Sequence, residues 1–107
     1  MTASISPKPI QYAPETIRRA QVAFLGTPLR WELLATMRDR QVSSLDVAET
    51  AGIEANFTKK IISERTAEHY LMWLIQVGML RREVDGQGLT DSFRLTPLGR
   101  QVLTEWQ

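Results

Sequence analysis

Few side chains in this 107-residue chain can do chemistry: one histidine, His69, stands alone, and there is no cysteine. A metal site needs several His, Cys or carboxylate ligands converging, and a hydrolytic nucleophile needs a base beside it. Neither can be built here, and no pair of carboxylates suggests itself as an acid and base. No catalytic residue, no metal ligand and no cofactor is therefore expected, and the chain is read as a non-enzyme. Gly86 and Gly88 do not make a phosphate cradle, because such loops join a strand to a helix and these lie between two strand-like runs. What remains is charge. Ten of the thirteen cations are arginine, on a net charge of only +1. The planar fork of arginine suits phosphate or guanine, and equally suits surface ion pairs. A charge so close to zero is a weak signal for nucleic acid.

The elements that would position these side chains are clearest from Ser63 to Arg100. Ser63 is an N-cap for a helix in which Ala67, Tyr70, Leu71, Leu74 and Val77 recur at three- and four-residue steps. Gly78 ends that helix, since its C-terminus calls for a residue tolerant of positive φ. Met79–Val84 then reads as a strand, Asp85-Gly86 and Gly88 as turn residues, and Ser92–Leu95 as the returning strand. Thr96-Pro97 caps and starts a last helix reaching Trp106, with Leu98 and Val102 able to close a core.

Upstream, residues 1–13 hold Pro7 and Pro9, show no periodicity and read as a flexible arm. Residues 14–107 then form a single domain. Pro14–Leu25 is a helix with a stripe of Ile17, Ala20 and Phe24. Gly26 breaks it, and Thr27-Pro28 starts another to Asp39, burying Leu29, Leu33, Leu34 and Met37. Trp31 falls off that stripe, at the edge of the core or in a subunit contact. Val42-Ser43 is a short strand able to pair with the later hairpin, and Ser43 or Ser44 caps a helix over Leu45–Ala51, with Gly52-Ile53 as the turn. Between that turn and Ser63, Phe57, Ile61 and Ile62 fall at helical spacing, which favours a short separate helix within residues 54–62 over an extension of the next one.

This order of parts resembles small bacterial winged-helix regulators of the PadR, MarR and ArsR kind. The likeness rests on Ser63-Glu64-Arg65-Thr66-Ala67, Val77-Gly78-Met79-Leu80 and Phe93-Arg94-Leu95-Thr96-Pro97-Leu98-Gly99, and runs from about Pro28 to the C-terminus. The segment at residues 54–62 departs from the pattern, in which the reading helix starts within about two residues of the turn. The resemblance implies a mainly α fold with a small β-hairpin wing, a winged helix-turn-helix with an extra N-terminal helix and a C-terminal helix. It implies a DNA-binding transcriptional regulator, with the helix at about residues 63–77 in the major groove and the wing at about 79–95 on the backbone or minor groove. Thr66, Glu68 and His69 match positions that touch DNA in such proteins. With that helix in a groove, Arg65 can pair with guanine O6 and N7, Lys59 and Lys60 can hold phosphates, and Arg81, Arg82 and Arg94 of the wing can reach the backbone or minor groove. It also implies a homodimer through the terminal helices, with Phe24 and Trp106 in the contact, which would set two reading helices roughly 34 Å apart on double-stranded DNA.

A second reading stands beside it: a winged-helix protein-interaction or dimerisation module that binds no DNA. Glu64 and Glu68 put negative charge on the leading end of the reading helix, where they also complement the helix dipole. From Lys59 to Arg94 there are six Lys or Arg against five Asp or Glu. Met72, Trp73 and Ile75 leave the same helix apolar on more than one face, to be covered by the chain itself, by a second subunit or by another protein. A similar module dimerises small-molecule methyltransferases, but nothing in this chain would carry their catalysis. No apolar run is long enough for a membrane span and no signal peptide opens the chain, so a cytoplasmic protein is expected. The residues name no operator, no small-molecule effector and no direction of regulation.

Overall fold

A computed structural model describes residues 11–106 of the chain. The first ten residues of the expected arm lie outside the described residues. Tyr12, also assigned to that arm, is half-buried against the core, and its backbone N–H donates to Gln101 Oε1 at 3.4 Å.

Helix α1, Pro14–Leu25, starts on proline, carries Glu15 in its first turn and buries Ile17, Ala20 and Phe24. Helix α2 runs Trp31–Asp39, beginning three residues later than the Thr27-Pro28 signal suggests. The reason is backbone pairing. Arg30 N–H donates to Phe57 O and Lys59 N–H to Pro28 O, both at 2.8 Å, and Leu29 bridges Thr58. Residues 28–30 are thereby held extended. Thr27 does not cap α2; its Oγ1 donates to Phe24 O and accepts from Leu29 N–H.

Strand β1, Val42–Ser43, leads into α3, Ser44–Val47, through a capping box: Ser43 Oγ accepts from Asp46 N–H while Asp46 Oδ2 accepts from Ser43 N–H. The single helix expected over 45–51 is two. Ala48 is extended, Glu49 takes a φ of 56°, and α4 runs Glu49–Glu54. Gly52 lies inside α4 rather than in a turn. A Cβ there would sit 2.0 Å from Val47 O, so only glycine lets α4 fold back against α3.

The short helix favoured within residues 54–62 is absent. Residues 55–63 form an irregular connector that buries Phe57, Thr58 and Ile62 and leaves Ile61 outside. Its backbone groups are committed elsewhere: Phe57 N–H donates to Gly52 O, and Ile62 O accepts from Glu49 N–H at 2.7 Å. A helix would have to break both bonds and the pairing to residues 28–30.

Helix α5, Glu64–Val77, is capped by Ser63 Oγ, which accepts from Thr66 N–H at 3.1 Å, and ends on Gly78 at φ 95°. Strands β2, Leu80–Asp85, and β3, Gly88–Leu95, form a hairpin whose second strand is four residues longer than the sequence suggests. β1 adds to it at Val42–Phe93 and Ser43–Ser92, giving the order β1-β3-β2, antiparallel throughout. Helix α6, Pro97–Trp106, is capped by Thr96, whose Oγ1 accepts from Gly99 N–H and donates to Gly78 O. The described residues thus form an α+β fold of six helices and a small three-stranded antiparallel sheet around one core. Leu33, Leu34, Leu71, Leu74, Phe93 and Val102 are fully enclosed there. No helix among them is long and apolar enough to cross a membrane, and no group of His, Cys, Asp or Glu among them could hold a metal.

Candidate recognition surface on the fifth helix and the hairpin

Helix α5 is long enough to have two faces. Ala67, Leu71 and Leu74 are buried, and Glu64, Arg65, Glu68, His69, Met72, Trp73 and Gln76 face outward. Thr66 is half-buried and belongs to the cap, since Ser63 Oγ donates to its Oγ1 at 3.0 Å. Of the apolar surplus on α5, Ile75 packs against the core, whereas Met72 and Trp73 stay 38% and 45% exposed.

The sheet brings α5 and the hairpin together at one point. Arg82 NH2 lies 3.9 Å from Glu68 Oε1 and 3.1 Å from Met72 Sδ, and its guanidinium sits 5.3 Å from the centre of the Phe93 ring. The other two hairpin arginines share a single carboxylate. Arg81 NH1 is 3.1 Å from Glu83 Oε2, and Arg94 Nε is 2.5 Å from Glu83 Oε1. Arg81 and Arg94 therefore both pair in charge with Glu83, Arg94 Nε without a hydrogen bond, while Arg82 only approaches Glu68 at the outer reach of an ion pair.

The end of the hairpin, from Glu83 round to Ser92, has no cation. Residues 83–92 read EVDGQGLTDS, carrying three carboxylates and no Lys or Arg. Asp85 Oδ1 accepts from Gln87 N–H at 2.7 Å and tightens the turn. Val84 and Leu89 stand opposite each other across the strands, 65% and 73% exposed. Between this pair and the Arg82–Phe93 pair, β2 carries only Glu83 while β3 carries Thr90, Asp91 and Ser92. Thr90 Oγ1 donates to Glu83 O across that irregularity.

The remaining expected contacts are not gathered with the hairpin arginines. Lys59 lines a concavity with Arg30, Trp31 and Trp106. Lys60 and Arg65 are exposed, and among the described residues neither they nor Lys59 enter an ion pair. Of the two residues expected in a dimer contact, Phe24 is 1% exposed within its own protomer and has no surface to offer a second copy. Its ring lies 4.3 Å from that of Trp31, which stacks on Trp106 at 4.2 Å. Trp106, packed on Trp31 by one face, keeps 43% of its surface exposed.

Two features go beyond the residues singled out from sequence. One is the apolar pair Val84 and Leu89, whose signal was two apolar residues among turn and acidic ones. The other is a groove of about 360 Å³ between α1, α5 and α6, walled by Ala20, Ala23, Trp73, Val77 and Leu98 with Arg19 on its lining. Helix periodicity assigns those residues to separate stripes; only the packing of α1 beside α5 and α6 makes them one surface.

The chain belongs to the Npun_F0494-like family, whose model matches residues 10–107. No curated protein and no solved structure matches it.

Proposed function

We propose that this chain is a winged-helix module that recognises another protein, rather than duplex DNA, through the face built by α5 and the hairpin. The order of helices, the short strand joined to the hairpin and the capped α5 support the winged-helix reading. The observation that carries the choice of partner is that Arg81 and Arg94 share the Glu83 carboxylate, with Glu68 standing 3.9 Å from Arg82.

DNA affinity comes largely from cations that neutralise phosphates and release counterions. Exposed ion pairs are individually weak, on the order of 0–1 kcal/mol, so a phosphate could displace such a partner. The displaced carboxylates would still stand beside the phosphates, together with Asp85 and Asp91 at the hairpin end. That surface repels a polyanion where a wing should hold it. The same surface offers exposed Met72, Trp73, Val84 and Leu89, side chains that gain by leaving water against a protein. No catalytic role, metal or cofactor is assigned.

The test is a fluorescence anisotropy titration with mixed genomic duplex fragments at about 50 mM salt, where electrostatic binding is strongest. No saturable binding is expected from the wild-type chain. Saturable, salt-sensitive binding would overturn the reading.

A second reading keeps DNA as the partner, and one observation favours it: Arg65 stands exposed in the first turn of α5, outside any ion pair among the described residues, with Lys60 upstream. On that reading α5 alone grips the duplex, and Arg65→Ala abolishes the binding seen in the same titration.

A further inference from the structure

Resting on the interaction reading above, we infer that the partner is a second copy of this chain, with the hairpin end of one copy seated in the α1–α5–α6 groove of the other. The two surfaces are complementary in polarity and charge. The hairpin end presents Val84 and Leu89, 65% and 73% exposed and directly opposite each other. The groove is concave, about 360 Å³, and its walls are Ala20, Ala23, Trp73, Val77 and Leu98. The hairpin end carries Glu83, Asp85 and Asp91 and no cation; Glu83 is engaged by Arg81 and Arg94 and Asp85 Oδ1 by Gln87 N–H, but neither aspartate is in an ion pair among the described residues, so their charge is left to meet a partner. Arg19 lines the groove, while Arg18 lies with Glu15 in a neighbouring concavity of α1, and neither arginine is in an ion pair among the described residues. Glu15, one turn before Arg19, is the acidic group nearest in sequence and leaves a net positive rim on α1.

A knob on one surface enters a hole on another, and each copy carries both halves. Made reciprocally around a two-fold axis, the two contacts form an isologous dimer; made once and repeated head to tail, the contact is heterologous. A single contact covers few side chains and falls in the weak class of interfaces, so association is sought up to about 200 µM. Docking would also remove Trp73 from water, accounting for the exposed aromatic on α5.

The chain has no native cysteine, so introduced ones report proximity cleanly. Copies bearing Leu89→Cys are mixed with copies bearing Ala23→Cys under mild oxidation. The expected product is a mixed disulfide-linked pair, formed about tenfold faster than with copies bearing Leu45→Cys, an exposed residue of α3 outside the groove. Equal rates would overturn the contact. A charge exchange guards against misfolded variants. Arg19→Asp alone and the double variant Asp85→Arg/Asp91→Arg alone should each weaken self-association about tenfold by sedimentation, and mixing the two should restore it. Failure of the mixture to associate, with each variant retaining the wild-type circular dichroism spectrum, would overturn the proposal. A strictly monomeric wild type that also ignores duplex DNA removes the second copy as partner but leaves the interaction reading standing. Salt-sensitive DNA binding removes that reading itself.

Discussion

Glu83 is one carboxylate asked to serve two arginines, and that arrangement is what most constrains the function of the hairpin. Replacing it with glutamine removes one charge and leaves Arg81 and Arg94 free. The stability cost should stay below about 1 kcal/mol, because the pairs are partly exposed. Retention on heparin at low salt should increase, and more so in the double variant Glu68→Gln/Glu83→Gln, which also frees Arg82. Unchanged retention would mean that the glutamates are not what keeps the surface from polyanions. Glycines make a second test at the same scale. A Cβ on Gly99 would lie 2.3 Å from Met79 O, in the tight approach of α6 to the start of the hairpin. Gly99→Ala should cost more than about 2 kcal/mol in urea unfolding, whereas Gly86→Ala, with nothing within 4 Å, should stay within about 0.5 kcal/mol.

Among the elements, α5 and its two ends were the most legible from sequence, because each boundary rests on a local signal: a serine cap, an uninterrupted apolar stripe and a glycine at positive φ. The same holds for α1, where Pro14 and Gly26 bracket the stripe. Elements decided by distant partners were not legible. The start of α2 and the connector at residues 55–63 fix each other through backbone pairing between residues 28–30 and 57–59, and no periodicity in either stretch announces it. The split of α3 from α4 depends on Gly52 meeting Val47 O, a contact that the two-residue turn signal at Gly52-Ile53 conceals. The connector yields its own prediction. Phe57 is 4% exposed and Ile61 57% exposed, although both lie on what reads as one helical stripe. Phe57→Ala should destabilise by about 3–5 kcal/mol and Ile61→Ala by less than about 0.5 kcal/mol. Equal costs would return the segment to a helix with one buried face. Ser63→Ala should cost about 1 kcal/mol through loss of the α5 cap.

At the scale of the whole molecule, the near-neutral charge was visible from composition, but its layout was not. The sequence places Arg81, Arg82 and Arg94 on the hairpin, which invites a phosphate-binding wing. The hairpin register and the seat of α5 turn the same residues toward Glu83 and Glu68. Likewise Phe24 and Trp106 share one aromatic stack with Trp31, yet Phe24 lies inside it and Trp106 at its edge, a difference that tertiary packing alone creates. What reaches the surface in quantity is apolar and acidic around the hairpin end and apolar and basic along α1. Such a division suits contact between protein surfaces better than contact with a polyanion. The measurement that bears most directly on this account is the salt-dependent anisotropy titration of the wild-type chain against genomic duplex fragments. A flat isotherm is expected at low salt, with binding emerging only when Glu68 and Glu83 are neutralised. A saturable wild-type isotherm that weakens steeply with added salt and disappears in Arg65→Ala would contradict it.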